Sequence, residues 1–229
     1  PMSQHILSIN CSNARWTTLG LLDGTAVSGE MNLELGKRQS SILPSLVDFF
    51  LGTFSLRVDD VDFFAVVTGP GSFTGLKVAV AFTQFLAWAS GEKPIIPLSS
   101  LECLAYTILD RSKQPVCPLL WAGGGKVYSA LFIPGAAGEA PKEPVPPKAY
   151  DREELLEALL VSGTEVQDVL FLSDTPEKCG RLFSGSFPGP VETASPRGAA
   201  DVLLAGLYKH RAIPPRAVTA QYFREPDIG

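Results

Sequence analysis

The sequence predicts an α/β protein made of two related halves, and three observations carry that prediction. Residues 6–35 read as strand, turn, strand, Asp-Gly turn, strand, and are followed by a helix and a short apolar run at 61–68. A second hairpin, 118–121 with 127–133, is again followed by a helix and a short strand at 169–173. Hydrophobic residues make up 45% of the 229-residue chain, enough to fill a core in one or two domains.

Each element has its own reason. Residues 6–9 are apolar and stop at Asn10-Cys11-Ser12-Asn13, residues 16–22 favour β structure, Asp23-Gly24 is a hairpin turn, and 26–35 complete an antiparallel meander. Ser40 or Ser41 can cap the next segment, where Ile42, Leu43, Leu46, Val47 and Phe50 recur at helical spacing; Phe49, Leu51 and Phe54 widen the stripe. The run VDFFAVVT at 61–68 reads as a strand buried inside a parallel sheet. Residues 73–90 read as a helix closed by Gly91, with Val78, Phe82, Phe85 and Ala89 on one stripe and Leu76, Val80, Ala87 and Trp88 elsewhere around it. Lys77 is the only charge within it, so this helix is either a central core helix or one covered by a partner on its far side. A strand at 95–97, a helix from Ser99 or Ser100 to about Leu109 and the second hairpin through Gly123-Gly124-Gly125 come next. The Pro- and Gly-rich stretch 134–147 reads as a loop or linker. Asp151 caps a helix to Leu160, 169–173 is a strand, 196–211 the last helix, and 218–224 an extended tail.

Composition narrows the function. Charged residues are 19% of the chain, below the usual figure of about 25%, which excludes wholesale disorder and fits either a covered surface or a large core. A net charge of −5 argues against a protein that grips nucleic acid by itself. No apolar run of about 18 residues spans a membrane, and the start, Pro1-Met2-Ser3-Gln4-His5, has no basic or apolar leader pattern, so a cytoplasmic location is expected. The four cysteines form no CxxC pair and are expected as buried free thiols. His5 and His210 stand at opposite ends, which leaves no paired-histidine metal site and no credible Ser-His-Asp triad.

The most informative segment is Gly69-Pro70-Gly71-Ser72-Phe73-Thr74-Gly75 (GPGSFTG), set between a buried strand and a helix. Such a junction offers free amides and a helix dipole to an anion. Gly69, Gly71, Ser72, Thr74 and Gly75 are therefore candidate anion- or nucleotide-loop residues. The segment matches neither the Walker A loop nor the GxGxxG fingerprint. A tight turn, with glycines for close packing and Ser72 or Thr74 as the helix cap, is the reading that fits it better.

This segment, with the apolar helix after it, resembles the TsaB family, also called YeaZ. Residues 6–12 (ILSINCS), 38–44 (RQSSILP), 96–101 (IPLSSL) and the tail Gln221-Tyr222-Phe223-Arg224 are similar to further stretches of that family. The resemblance is specific to about Tyr106. It implies a two-lobed actin–Hsp70–sugar kinase-like (ribonuclease H-like) α/β fold with duplicated mixed sheets. The expected division is residues 1–109, with the helix at 196–211 packed on them, and a smaller lobe at 110–195.

The resemblance implies a non-catalytic adaptor with no catalytic and no metal-ligating residues. It would bind and stabilise a TsaD-like catalytic subunit that forms threonylcarbamoyladenosine at position 37 of tRNAs. A TsaE-like ATPase joins the complex, tRNA is met only through it, ATP or ADP belongs only to the complex, and the protein alone is a homodimer. Family homodimers use the first two helices, here 41–51 and 73–90. The expected partner-binding residues are Ile42, Leu43, Leu46, Val47, Phe50, Leu76, Val80, Gln84, Ala87 and Trp88. Of the two helix stripes, Phe82 is expected to face inward and Val80 outward.

Three departures from the family pattern count against an independent ATPase. Asn10 replaces an Asp, Ala122-Gly123-Gly124 replaces Asp-Ala-Arg, and Gln39-Ser40 stands where a His is common. The alternative function is an ATP-dependent phosphotransferase or a peptidase-like enzyme of the same fold. The first needs a carboxylate to hold a metal–phosphate, and no Asp or Glu lies between Ile6 and Leu22; the second lacks a nucleophile–base pair.

Overall fold

The computed structural model describes residues 4–109, 111–183, 185 and 190–223. The chain forms two compact units: one runs to Cys103 and resumes over Pro196–Tyr222, and the other holds Leu104–Ser195 and Phe223.

The first unit opens with the antiparallel strands β1 (His5–Asn10), β2 (Trp16–Asp23) and β3 (Ala26–Glu34). The turn between β2 and β3 places Gly24 at φ +63°, the left-handed conformation for which glycine is suited. Helix α1 (Gln39–Gly52) leads to β4 (Phe63–Gly69), whose apolar residues are buried on both faces and which runs parallel to β1. Helix α2 (Phe73–Ala89) then returns the chain to β5 (Ile95–Ser99), parallel to β4, and α3 (Ser100–Leu109) follows. The sheet order is β3-β2-β1-β4-β5.

The second unit repeats this plan. Strands β6 (Val116–Gly123) and β7 (Lys126–Ile133) form the hairpin, and β8 (Lys142–Tyr150) pairs with β7. Helix α4 (Arg152–Val161) starts at an Asp151 cap: the Glu154 amide donates to Asp151 Oδ1 at 2.9 Å, and the Asp151 amide donates to Glu154 Oε2 at 3.0 Å. Strand β9 (Leu170–Ser173) runs parallel to β6, and α5 (Pro176–Leu182) leads to the short β10 (Glu192–Thr193) beside β9. The order β8-β7-β6-β9-β10 repeats the first sheet strand for strand. Helix α6 (Gly198–Leu207) belongs to the first unit and lies across β1, β2 and β3. Among the described residues no helix is long and apolar enough to cross a membrane.

Several expectations change. The stretch read as a linker at 134–147 ends in β8, an edge strand on which Pro144, Pro146 and Pro147 are tolerated because one side has no ladder to supply. Helix α1 begins at Gln39, directly after a single 3₁₀ turn at Gly36–Arg38, with no side-chain cap; Ser41 instead donates to the Arg38 carbonyl at 3.1 Å. Seven-residue α5 and two-residue β10 carry too little periodicity to be read from sequence. The two compact units divide between Cys103 and Leu104, within α3.

Candidate functional site

The β4–α2 junction packs backbone against backbone. A Cβ on Gly75 would lie 2.0 Å from the Cys11 carbonyl oxygen, on Gly71 2.2 Å from that of Ser12, and on Gly69 2.3 Å from that of Gln221. Three of its glycines are thus required by close approach, without appeal to a phosphate. Ser72 caps α2: the Gly75 amide donates to its Oγ at 3.3 Å, while the Ser72 amide donates to the Ser12 carbonyl at 2.7 Å. Thr74 is exposed. Ser100 donates to the Pro70 carbonyl from the start of α3. The tail closes the other side, with the Gln221 amide donating to the Thr68 carbonyl at 2.7 Å and the Tyr222 ring 4.9 Å from that of Phe73. Arg224 of the tail motif lies outside the described residues.

The turn that receives this junction is held from behind. Asn10 is buried, and its Oδ1 accepts from the Ser12 amide at 2.9 Å and the Ser12 hydroxyl at 2.7 Å. Its Nδ2 donates at 3.1 Å to Asp201 Oδ2 on α6, and Thr18 Oγ1 donates to the same oxygen at 2.7 Å. Asp201 is fully buried, and that burial pushes its carboxyl up to about 6, opposed by the bonds from Thr18 and Asn10. Asn10 therefore does not fit a metal–nucleotide: its amide is committed on both sides to protein groups. Gln39 faces the same turn from α1, donating through Nε2 to the carbonyls of Asn13 and Trp16 at 2.9 Å each. This role explains the buried glutamine at a position flagged only as a departure from the family. All four cysteines are buried free thiols, and burial pushes Cys11 up to about 11 and Cys117 to about 12, which denies them thiolate reactivity.

The two helices fixed by this turn present mixed faces. Helix α2 turns Leu76, Ala79, Val80, Thr83, Leu86 and Ala87 inward, and small Gly75, Ala79 and Ala87 let it lie close to β4. Its outer side shows Phe85 and Trp88, 60% and 65% exposed, with Val78 and Phe82 half-buried beside them. The expected orientation is thus reversed, with Val80 in the core and Phe82 half out. Periodicity cannot orient a helix that is apolar on all sides; the sheet does. Among the expected partner residues, Leu43, Val47, Phe50, Leu76, Val80 and Ala87 fill the unit's own core and offer no surface. Ile42 and Leu46 are half-buried, Trp88 is exposed, and Gln84 spends its amide on the Pro215 and Val218 carbonyls at 2.8 and 3.0 Å. On α1 the exposed aromatic is Phe49, at 63%, one helical turn from Leu46 and two from Ile42.

Two five-stranded mixed sheets of identical strand order, each flanked by helices, define a duplicated α/β fold. A family model described as tRNA N6-adenosine threonylcarbamoyltransferase matches residues 34–145. The chain is 34% identical over 129 residues to the tRNA threonylcarbamoyladenosine biosynthesis protein TsaB of Bacillus subtilis, a match over 56% of this chain and 54% of that one. It is 39% identical over 103 residues to TsaB of Haemophilus influenzae, covering 44% and 43%. The chain thus spans about half the length of the curated relatives it matches. A Pseudomonas aeruginosa structure described as similar to peptidase YEAZ superposes with a TM-score of 0.81 at 19% identity, over 96% of this chain and all of that one, and so shares the fold. The chain is thus similar in sequence to TsaB proteins over about half its length, and it shares the fold of the YeaZ structures.

Proposed function

We propose that the chain serves threonylcarbamoyladenosine formation in tRNA as a non-catalytic adaptor that binds and stabilises a TsaD-type transferase subunit. The outer faces of α1 and α2 are the binding surface, and they pair two copies of the chain when the transferase subunit is absent. A TsaE-type ATPase, the tRNA and any ATP or ADP are met only in the assembled complex. The observation that carries this reading is the exposure of Phe49, Phe85 and Trp88 on two adjacent helices, in a chain whose named relatives act in that modification. Large exposed aromatic side chains on neighbouring helices mark interaction surfaces.

The test is to mix the chain with the TsaD-type subunit of its own organism and measure size and threonylcarbamoyl transfer. A complex and transfer that needs both chains are expected. Phe85→Glu should retain the far-ultraviolet spectrum and melting temperature yet bind at least about tenfold more weakly. A variant that binds as well as the native chain contradicts the assigned surface.

A further inference from the structure

The residues behind the α1–α2 face form one continuous chain of bonds. Asp201 on α6 holds Asn10; Asn10 holds Ser12; the Ser12 carbonyl takes the amide of Ser72, the cap of α2; and Gln39, the first residue of α1, bonds the Asn13 and Trp16 carbonyls. Gly75 sits against the Cys11 carbonyl so closely that no side chain fits between them. Both helices are therefore tied at their first turns to residues 11–13, and that turn is tied to a helix 191 residues away in sequence. We infer that Asn10 and Asp201 are positioning residues for the partner-binding face, and that they work only as one amide facing one carboxylate. This inference rests on the adaptor reading for its functional consequence, but its geometry belongs to the chain alone.

The chemistry of the pair is restrictive. Asn10 donates to Asp201 and accepts from Ser12 at the same time, which a carboxylate at position 10 cannot do while ionised. The surroundings offer no relief. Cys103 faces Asp201 from α3, and Glu30 bears on it from β3. Arg197, at the start of α6, is held by Glu30, and Glu102 on α3 takes the Tyr208 hydroxyl. Two carboxylates in contact here could not both ionise.

The test compares the native chain with Asn10→Asp, and with the exchanged pair Asn10→Asp/Asp201→Asn, by amide hydrogen exchange and by binding to the TsaD-type subunit. At about pH 8, Asn10→Asp should exchange at least about tenfold faster at residues 39–43 and 72–76, with β6, β7 and β9 unchanged, and should bind at least about tenfold more weakly. The difference from the native chain should narrow as pH falls towards 6, where one carboxyl takes a proton. The exchanged pair should restore both readouts to within about threefold. If Asn10→Asp does not fold, the exchanged pair must still fold with native exchange at 72–76. Native exchange at 72–76 in Asn10→Asp, an exchanged pair that restores nothing, or a loss spread evenly over β1–β5 each overturns the inference. Phe85→Glu separates the two claims. It should lose binding with native exchange; if it binds normally, the adaptor surface falls while the exchange data still judge the pair.

Discussion

Two turns occupy equivalent places in the two sheets, and they have opposite fates. The turn between β1 and β2 is polar and wholly engaged. Asn10, Ser12 and Asn13 bond to α6, to the cap of α2 and to the start of α1, and two glycines of the α2 junction press on its carbonyls. The turn between β6 and β7 is glycine alone. Gly123, Gly124 and Gly125 all take positive φ, and a Cβ on Gly125 would meet nothing within 4 Å. One topology thus yields a packing hub in one unit and a solvent-facing tip in the other. Strand order fixes where a turn lies; the polar groups within it decide whether other elements can be fastened to it.

The largest expected difference between the turns comes from adding one methyl group. Gly75→Ala drives a Cβ into the Cys11 carbonyl and forces backbone to move, at a cost of about 3 kcal/mol, or roughly 10 °C in melting temperature. Gly125→Ala meets open space and bears only the strain of a left-handed residue, about 1 kcal/mol and roughly 3 °C. Equal losses in thermal melts would erase the contrast.

A smaller effect is set by pH. Asp201 is raised from its ordinary 3.8 to about 6, so the folded chain holds this proton more tightly than the unfolded one. The stability from that proton is complete below about pH 4 and is lost as pH rises through about 6, in all about 3 kcal/mol. Glu30 has the opposite sign: its bond with Arg197 lowers it to about 2, and the stability it brings is lost only as pH falls below about 4.5. Melting temperatures should therefore fall in the native chain relative to Asp201→Asn between about pH 4 and 6.5, and the two should run parallel above that. Parallel curves for the two proteins between about pH 4 and 6 would contradict the burial argument.

Much of this architecture is legible in the sequence, and the exceptions have physical causes. The opening meander, the strand β4 and the caps at Ser72 and Asp151 are local: alternation, Asp-Gly, and a hydroxyl or carboxylate one turn ahead of an amide. Strand β8 is illegible because its prolines read as loop until the strand is known to lie at an edge. The inward face of α2 is illegible because apolar residues surround the helix and only the packed sheet selects Val80 over Phe82. The Asn10–Asp201 pair and the role of Gln39 are tertiary contacts, and no local pattern announces them. Helices α1 and α2 do carry exposed apolar surface, on Phe49, Phe85 and the expected Trp88, while Leu43, Val47, Phe50, Leu76, Val80 and Ala87 of the expected partner residues are buried.

The central claim, that the outer faces of α1 and α2 receive the transferase subunit, is tested most directly by hydrogen exchange of the chain alone and after mixing with that subunit at saturating concentration. The account predicts added protection confined to 42–49 and 78–89, with the β6–β7 tip unchanged. Protection centred on the second unit, with 42–49 and 78–89 exchanging as in the chain alone, would contradict it.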